Sequence, residues 1–560
     1  MIKDVPLLVD TGRGYTIKYK GKYLYSSVDP KNSVIKRLNK IKIKKNTLVF
    51  VPGFGLGYGL QELLNLIDDS CHILCIEADM ELMGFALNKK IEPIPDSPNI
   101  SIIRADDPSK ICMHIKKLGF HNFRRVKKIH LSAGYHLNQK SYKEIEIMLD
   151  NEIKVFWQNK ITFIHMGRLW IKNILSNLPH LIYSKDLNKL KTELPFLVIG
   201  AGPSLEYSIN WIIKIRKHVI ILAVDTALPY LGDSGIKPDL IFVLESQLIN
   251  LQDFIPHTFK DVPVICDISS APSITKIFKG NTYFFSSDFY PLNLFKRMKK
   301  KGLLPKTIPP LGSVGVAAVY TAKILTKGPL ILTGLDFSYT DNKTHAKNTA
   351  FHMLMFKTIN RFKSVEQFTF GAIQNRPLLK IKGKNQETVL SDLVLLFYSK
   401  RINEVVNGSD RVFDIGLKGL ETGAIKILKL NELEDIVLNY SNNKYLESLK
   451  NAHADENDYS DKADNINKFI KTEKKLLNKT IELLECIIKK DTDSNKNPQL
   501  NDSSMKYLKE MDYLYFFFPD KEELPVNKAS FLVRVLKSAY NFKASFRKLE
   551  KIIENNADAY

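Results

Sequence analysis

The sequence predicts an α/β protein with two Rossmann-like domains followed by a helical C-terminal domain. Three observations carry this. At 560 residues the chain is too long for one hydrophobic core and needs several. A short apolar run, a glycine turn and a helical stretch occur in succession twice, near residue 50 and again near residue 200. The last 130 residues or so are charged and helix-like throughout. The expected boundaries are 1–135 for the first α/β domain, 136–188 for a helical connector, 189–430 for a central α/β domain, and 431–560 for the helical tail.

In the first domain, Thr47-Leu48-Val49-Phe50-Val51 reads as a buried strand. It feeds the turn Pro52 to Gly59, with glycines at 53, 55, 57 and 59, and a helical stretch through Leu66. A second strand, His72 to Ile76, ends at Glu77-Ala78-Asp79. Glu77 lies about 22 residues past Gly55, the spacing at which an acid bonds a ribose hydroxyl in a dinucleotide-binding turn. The same glycines also suit a turn that binds nothing. A methyltransferase-like reading lacks a catalytic motif downstream.

From Tyr142 to Leu181 the apolar residues Phe156, Trp157, Ile161, Ile164, Leu169, Trp170, Ile174 and Leu178 recur at helical spacing, as in a core-packing helix. The polar, lysine-rich stretch Ser184 to Thr192 marks a boundary. Far downstream, Asp491 to Ser504 is rich in Asn, Asp and Ser and predicts a mobile loop.

The central domain opens with Phe196-Leu197-Val198-Ile199 as a strand and Gly200-Ala201-Gly202-Pro203-Ser204 as the turn into a helix. Gly200 and Gly202 let the backbone turn sharply and approach a ligand. Pro203 suits a first helical position, and Ser204 adds a hydroxyl where free amides and the helix dipole favour an anion. The expectation is a phosphate seat, although neither a Walker loop nor a full dinucleotide fingerprint is present. A second strand, Val219 to Val224, ends in Asp225-Thr226, and a third, Asp239 to Leu244, ends in Glu245-Ser246-Gln247. In an open parallel sheet these polar ends line the crevice that receives ligand; alternatively they cap the following helices. The run Pro309 to Ala318 opens a small-residue helix behind Gly312 and Ser313. The strand Pro329 to Thr333 then leads to Gly334-Leu335-Asp336 and on to Lys343-Thr344-His345-Ala346-Lys347. His345, among lysines and polar residues, is the candidate base; His352, flanked by Phe351 and Met353, reads as a packing residue.

Composition restricts the function classes. The apolar share of 44% and charged share of 25% are those of a soluble globular protein. The opening Met1 to Pro6 lacks the apolar core of a signal peptide, and no run approaches the roughly 20 apolar residues that span a bilayer. Five scattered cysteines, at 71, 75, 112, 266 and 486, form no zinc pattern. A reduced, cytoplasmic protein without an integral membrane segment is expected. The net charge of +22 belongs either to solvated helix faces, with Lys471, Lys474, Lys475 and Lys479 as examples, or to a surface for an acidic partner. Nucleic acid is not the expected partner, because the sequence lacks a zinc finger, an aromatic RNA-recognition signature and a basic stripe interleaved with aromatics.

Five blocks now stand in order: Gly200 to Leu205, Asp225 to Leu228 with Gly235 to Asp239, Gly312 to Gly315, Gly334 to Phe337, and Thr344 to Ala346. In these the chain resembles the motility accessory factor (Maf) family of bacterial flagellin glycosyltransferases. The central region of that family is similar both to 6-hydroxymethylpterin pyrophosphokinase-like domains and to bacterial sialyltransferases. One departure is Glu245, where many members of the family carry aspartate.

The resemblance implies a central, sialyltransferase-like catalytic domain. Its donor is a CMP-activated nonulosonic acid of the pseudaminic, legionaminic or sialic-like kind, and its acceptor is a serine or threonine of flagellin, with flagellar assembly and motility depending on the transfer. It also implies His345 as the base, with the nucleotide-sugar held by Gly200, Gly202, Pro203, Ser204, Asp225, Thr226, Glu245, Ser246, Gln247, Gly312, Ser313, Gly334 and Asp336. Inverting, metal-independent chemistry without a further cofactor is expected, since a CMP-sugar leaves as a phosphate monoester and no Asp-X-Asp occurs in the five blocks. Two alternatives remain open: a pterin-type diphosphokinase using ATP and Mg²⁺, and a non-catalytic flagellin-binding chaperone.

Overall fold

The computed structural model describes residues 5–104, 108–257, 259–278, 281–288, 291–451, 456–494, 502–519, 521 and 529–557. The fold is α/β, built on two parallel sheets. The chain divides into two compact units, Met1–His165 and Met166–Tyr560.

In the first unit, strands β1 (Leu7–Asp10), β2 (Tyr15–Tyr19) and β3 (Lys22–Tyr23) form a small antiparallel sheet. The main sheet contains β4 (Thr47–Pro52), β5 (His72–Glu77), β6 (Ile100–Arg104) and β7 (Arg125–Lys128), ordered β6-β5-β4-β7 with every pairing parallel. β4 and β5 are buried at every position, as expected of a parallel sheet covered on both faces. The expected strands Thr47 to Val51 and His72 to Ile76 each extend one residue further. The apolar periodicity after Tyr142 belongs to one long helix, Gln139–Asn177, within which the division between the units falls.

The second unit carries a nine-stranded, all-parallel sheet. Its strands in chain order are β8 (Phe196–Ile199), β9 (Ile220–Val224), β10 (Leu240–Val243), β11 (Val264–Asp267), β12 (Thr282–Ser287), β13 (Lys306–Ile308) and β14 (Leu330–Thr333). After a separate antiparallel pair, β15 (Leu379–Lys382) and β16 (Thr388–Ser391), come β17 (Val412–Asp414) and β18 (Lys426–Ile427). The order is β13-β12-β11-β10-β9-β8-β14-β17-β18. From β8 the chain winds one way to β13, then crosses back to lay β14 on the other side of β8. The switch point is therefore between β8 and β14, where ligands bind in such sheets.

The crossing is made by helix Val314–Leu325, whose interior is alanine, valine and threonine and almost wholly buried. Small residues let it lie close across β8 and β9. The tail of the chain is helical, with Glu456–Ser494 and Ala529–Ala557 packed on each other and tied by Lys474 Nζ to Glu550 at 2.6 Å. The loop expected over Asp491 to Ser504 lies outside the described residues at 495–501; Asp491 to Ser494 end one helix, and Asp502 to Ser504 begin the next. Among the described residues no helix is long and apolar enough to cross a membrane.

Candidate functional site at the sheet switch point

The loop after β8 and the loop after β14 are knitted together. Gly200 N donates to Thr333 O at 2.8 Å, and Gly202 N donates to Gly334 O at 2.7 Å. Ser204 donates twice to Asp336, its amide to Oδ2 at 2.9 Å and its hydroxyl to Oδ1 at 2.5 Å. Leu205 N turns back onto Gly202 O. The amides expected to cradle a phosphate are thus spent inside the protein, and the Ser204 side chain, 0% exposed, is spent with them.

The glycines answer the same crossing. A Cβ on Gly200 would sit 2.3 Å from Gly334 O, and one on Gly202 would sit 2.4 Å from Asp336 Oδ1. Gly334 has φ +67°, which favours glycine on its own account, and a Cβ there would meet Gly200 O at 2.3 Å. Close approach is therefore required at this turn, but by the neighbouring loop. The expectation that Ser204 offers its hydroxyl outward is corrected, and Asp336 is the partner it turns to. Burial raises the Asp336 carboxyl, while Ser204 and Lys384 favour its ionised form.

An open set of amides lies nearby. Helix Val314–Leu325 starts behind Ser313, whose side chain makes no capping bond. The first intrahelical bond to this turn is Ala317 N to Ser313 O at 3.0 Å, so the amides before it have no partner within the helix. Gly312 takes φ +76°, and a Cβ there would be 3.2 Å from the Tyr398 ring. Gly315 abuts Leu335, where a Cβ would fall 2.5 Å from Cδ2. This start of the helix therefore faces the loop after β14.

The ends of β9 and β10 bring acids together. Asp225 is 0% exposed; its Oδ1 accepts from Thr226 N at 2.9 Å, while Oδ2 is sealed from solvent without a hydrogen-bond partner. Burial, with Asp253 and Glu245 close by, pushes its carboxyl well above the usual range. Asp253 is pushed up to about 7 by burial and Glu245, and burial raises Glu245 itself. Carboxyls buried beside one another favour their protonated forms. Ser246 is buried and uses its carbonyl to accept from Asn173 Nδ2 at 2.9 Å; Gln247 is exposed and reaches Met166 Sδ at 3.4 Å. Among the described residues no three His, Cys, Asp or Glu converge as metal ligands.

His345 is half-buried, with Nδ1 sealed and without a hydrogen-bond partner and its ring edge-on to Phe351 at 6.0 Å. Burial pushes it down to about 4, so the ring is neutral at physiological pH. Its loop is pinned to the glycine loop by Ala346 N to Ala201 O at 2.9 Å, and Glu206 holds both Lys343 Nζ at 3.2 Å and Lys347 N at 2.9 Å. His352 packs edge-on against Phe356, with Nδ1 accepting from Asn348 N.

Several contributors escaped the sequence reading. Asn173 and Asn177, on the second half of the long helix, donate to the carbonyls of Ser246, Ser269, Ile268 and Ser270, clamping the loops after β10 and β11. Lys384 is buried against Asp414 at 2.7 Å, and it sits beside Asp336. In the first unit, Glu77 accepts from Phe54 N, Asp79 N and the Tyr142 hydroxyl, all within 3.0 Å. The acid expected to bind a ribose is instead a buried post for the glycine turn and the long helix.

Fold and site together define a doubly wound α/β protein with polar residues gathered at the strand ends beside its switch point. A sequence profile of the 6-hydroxymethylpterin diphosphokinase MptE-like family matches residues 172–342, the stretch from β8 through β14 and the helix before it. An uncharacterised protein of Treponema pallidum is 27% identical over 540 residues, covering 95% of this chain and 93% of the relative. A second protein of that organism is 33% identical over 125 residues, 21% of this chain, and the match spans only 58% of that relative. Among solved structures, the MAf glycosyltransferase from Magnetospirillum magneticum AMB-1 shares the fold with a TM-score of 0.51, at 14% identity over 99% of this chain and 93% of that one.

Proposed function

We propose that the chain is a glycosyltransferase that moves a nonulosonic acid from its CMP-activated form to serine or threonine hydroxyls of flagellin in the cytoplasm. The observation that carries this reading is that two elements border one switch point: the uncapped helix start at Ser313, which abuts Leu335 after β14, and the His345 loop, which is pinned to Ala201 after β8. The near full-length fold likeness to a protein described as a glycosyltransferase supports it.

In this reading the donor phosphate lies on the first amides of helix Val314–Leu325 with the Ser313 hydroxyl. Gly200, Gly202, Pro203 and Ser204 shape the floor through Gly334 and Asp336. Asp225 and Thr226, with Glu245, Ser246 and Gln247, form the strand ends that take the ribose and base. The bond from the anomeric carbon to the phosphate oxygen breaks, with its electron pair leaving on CMP. The acceptor oxygen bonds the opposite face of an oxocarbenium-like centre, inverting it, and passes its proton to His345. An imidazole with so low a pKa is a weak base by itself; the approach of an anionic donor raises it toward the working range. The transfer proceeds on these groups without a metal or further cofactor.

Intact mass of flagellin from wild-type and deletion strains tests activity and sugar at once: an unchanged mass in the deletion strain contradicts the proposal. The family profile over residues 172–342 favours a second reading, a diphosphokinase. Calorimetry separates the two, with CMP bound more tightly than ATP and Mg²⁺ expected for the transferase and the reverse for the kinase.

A further inference from the structure

The first unit repeats the architecture of the second on a smaller scale. Its sheet runs β6-β5-β4-β7, so its switch point lies between β4 and β7. Here too the glycine turn is spent internally. Gly53 N donates to Ile76 O, Phe54 N to Glu77, and Leu56 N to the Tyr25 hydroxyl. A Cβ on Gly55 would strike that same hydroxyl at 2.2 Å.

Beside this closed turn lies a cleft of about 570 Å³, within the range of pockets that take drug-sized ligands. Its polar walls come from Ser33 and Arg37 on helix Pro30–Leu38 and from His130, Ser132, Tyr135 and His136 after β7. None of its lining residues is acidic. Arg37 is positioned by Nε to Ser33 O at 3.3 Å and Nη2 to Leu131 O at 3.2 Å, which leaves Nη1 as a donor. His130 keeps Nδ1 sealed and without a hydrogen-bond partner, with its ring edge-on to Tyr135 at 4.4 Å. Burial lowers the His130 pKa, and Lys128, His136 and Arg37 lower it further against an opposing Glu146. Lys128 is paired with Glu146 at 2.5 Å, so Arg37 is the permanent cation of the cleft, set among hydroxyls and tyrosine rings with no anion in the lining.

We propose that this cleft is a second binding site, independent of the switch point in the other unit, for an organic phosphate monoester of nucleotide or sugar-phosphate size. Arg37 neutralises the phosphate, the His130 and His136 rings with Ser33 and Ser132 offer it hydrogen bonds, and the tyrosine rings take the flat or apolar face of the organic group.

Calorimetry on the full chain with AMP, glucose 1-phosphate and inorganic phosphate tests this; CMP, the ligand proposed for the other unit, is left out. At least one ester is expected to bind more tightly than inorganic phosphate. Arg37→Gln is expected to weaken that ester about tenfold or more and His136→Gln by about threefold, since both remove donors to a charged group. Ser313→Asp, in the other unit, leaves it unchanged. Should one of the first two variants fail to fold, the other decides. The proposal is overturned if no ester binds up to about 1 mM, if inorganic phosphate binds as tightly as the best ester, or if the folded variants retain wild-type affinity. Loss of binding in Ser313→Asp also overturns it, because the ligand then belongs to the switch-point site.

Discussion

Ser204 gives both its amide and its hydroxyl to Asp336, 132 residues further along the chain, at 2.9 and 2.5 Å. The pair fastens the turn after β8 to the turn after β14. Two buried hydrogen bonds to a carboxylate contribute more than neutral ones, roughly 1.5–3 kcal/mol each. Ser204→Ala is therefore expected to destabilise the second unit by about 2 kcal/mol, and Asp336→Asn by more, because an amide nitrogen then faces a donor. Urea titration of each variant checks this; unchanged midpoints contradict the clasp.

His345→Ala is expected to abolish sugar transfer while CMP binding survives within about twofold. Flagellin mass in cells carrying the variant reads the first and calorimetry the second. Normal glycosylation removes His345 from the mechanism. Equal loss of CMP binding makes it a donor contact.

Ser313→Asp separates anion binding from folding. An aspartate at this position caps the helix and suits its dipole, so stability is expected to hold or rise by about 0.5–1 kcal/mol. The same charge repels the donor phosphate, and CMP affinity is expected to fall about tenfold or more. A variant of unchanged affinity would falsify the assignment of the phosphate to this helix.

In the first unit, His72 bonds Ser101 Oγ at 2.8 Å, and burial with His114 nearby pushes it down to about 4. The unfolded ring titrates near 6.5. Between these values the unfolded chain binds the extra proton, so this contribution is complete above about pH 6.5 and is lost as pH falls toward 4. His72→Phe, with Ser101 still held by His114 at 2.9 Å, is expected to flatten the acid limb of stability against pH by about one proton. An unchanged slope assigns the acid sensitivity to other groups.

The strands were legible wherever burial on both faces leaves a short apolar run. Phe196 to Ile199 matches β8, and Pro329 to Thr333 differs from β14 by one residue. The polar strand ends were legible too, because topology places them at one edge. What the residues at Gly200 to Ser204 do was not, since a glycine that admits a ligand and one that admits a neighbouring loop have the same pattern. Asp253 sits in the short 3-10 helix Leu248–Phe254, and Asn173 and Asn177 sit on a helix read as packing. Lys384 meets Asp414 across 30 residues with no spacing to betray it. Each of these depends on contacts between distant segments, which local periodicity does not encode.

The mutual fit of Gly200 and Gly334 means that neither turn can change its backbone path without the other. A transplant of either turn alone from a relative with another backbone path would leave it jammed against its mate, so donor specificity has to be recast elsewhere. Ser313, whose side chain makes no capping bond, is a position where the chemistry of the site can change without disturbing this fit.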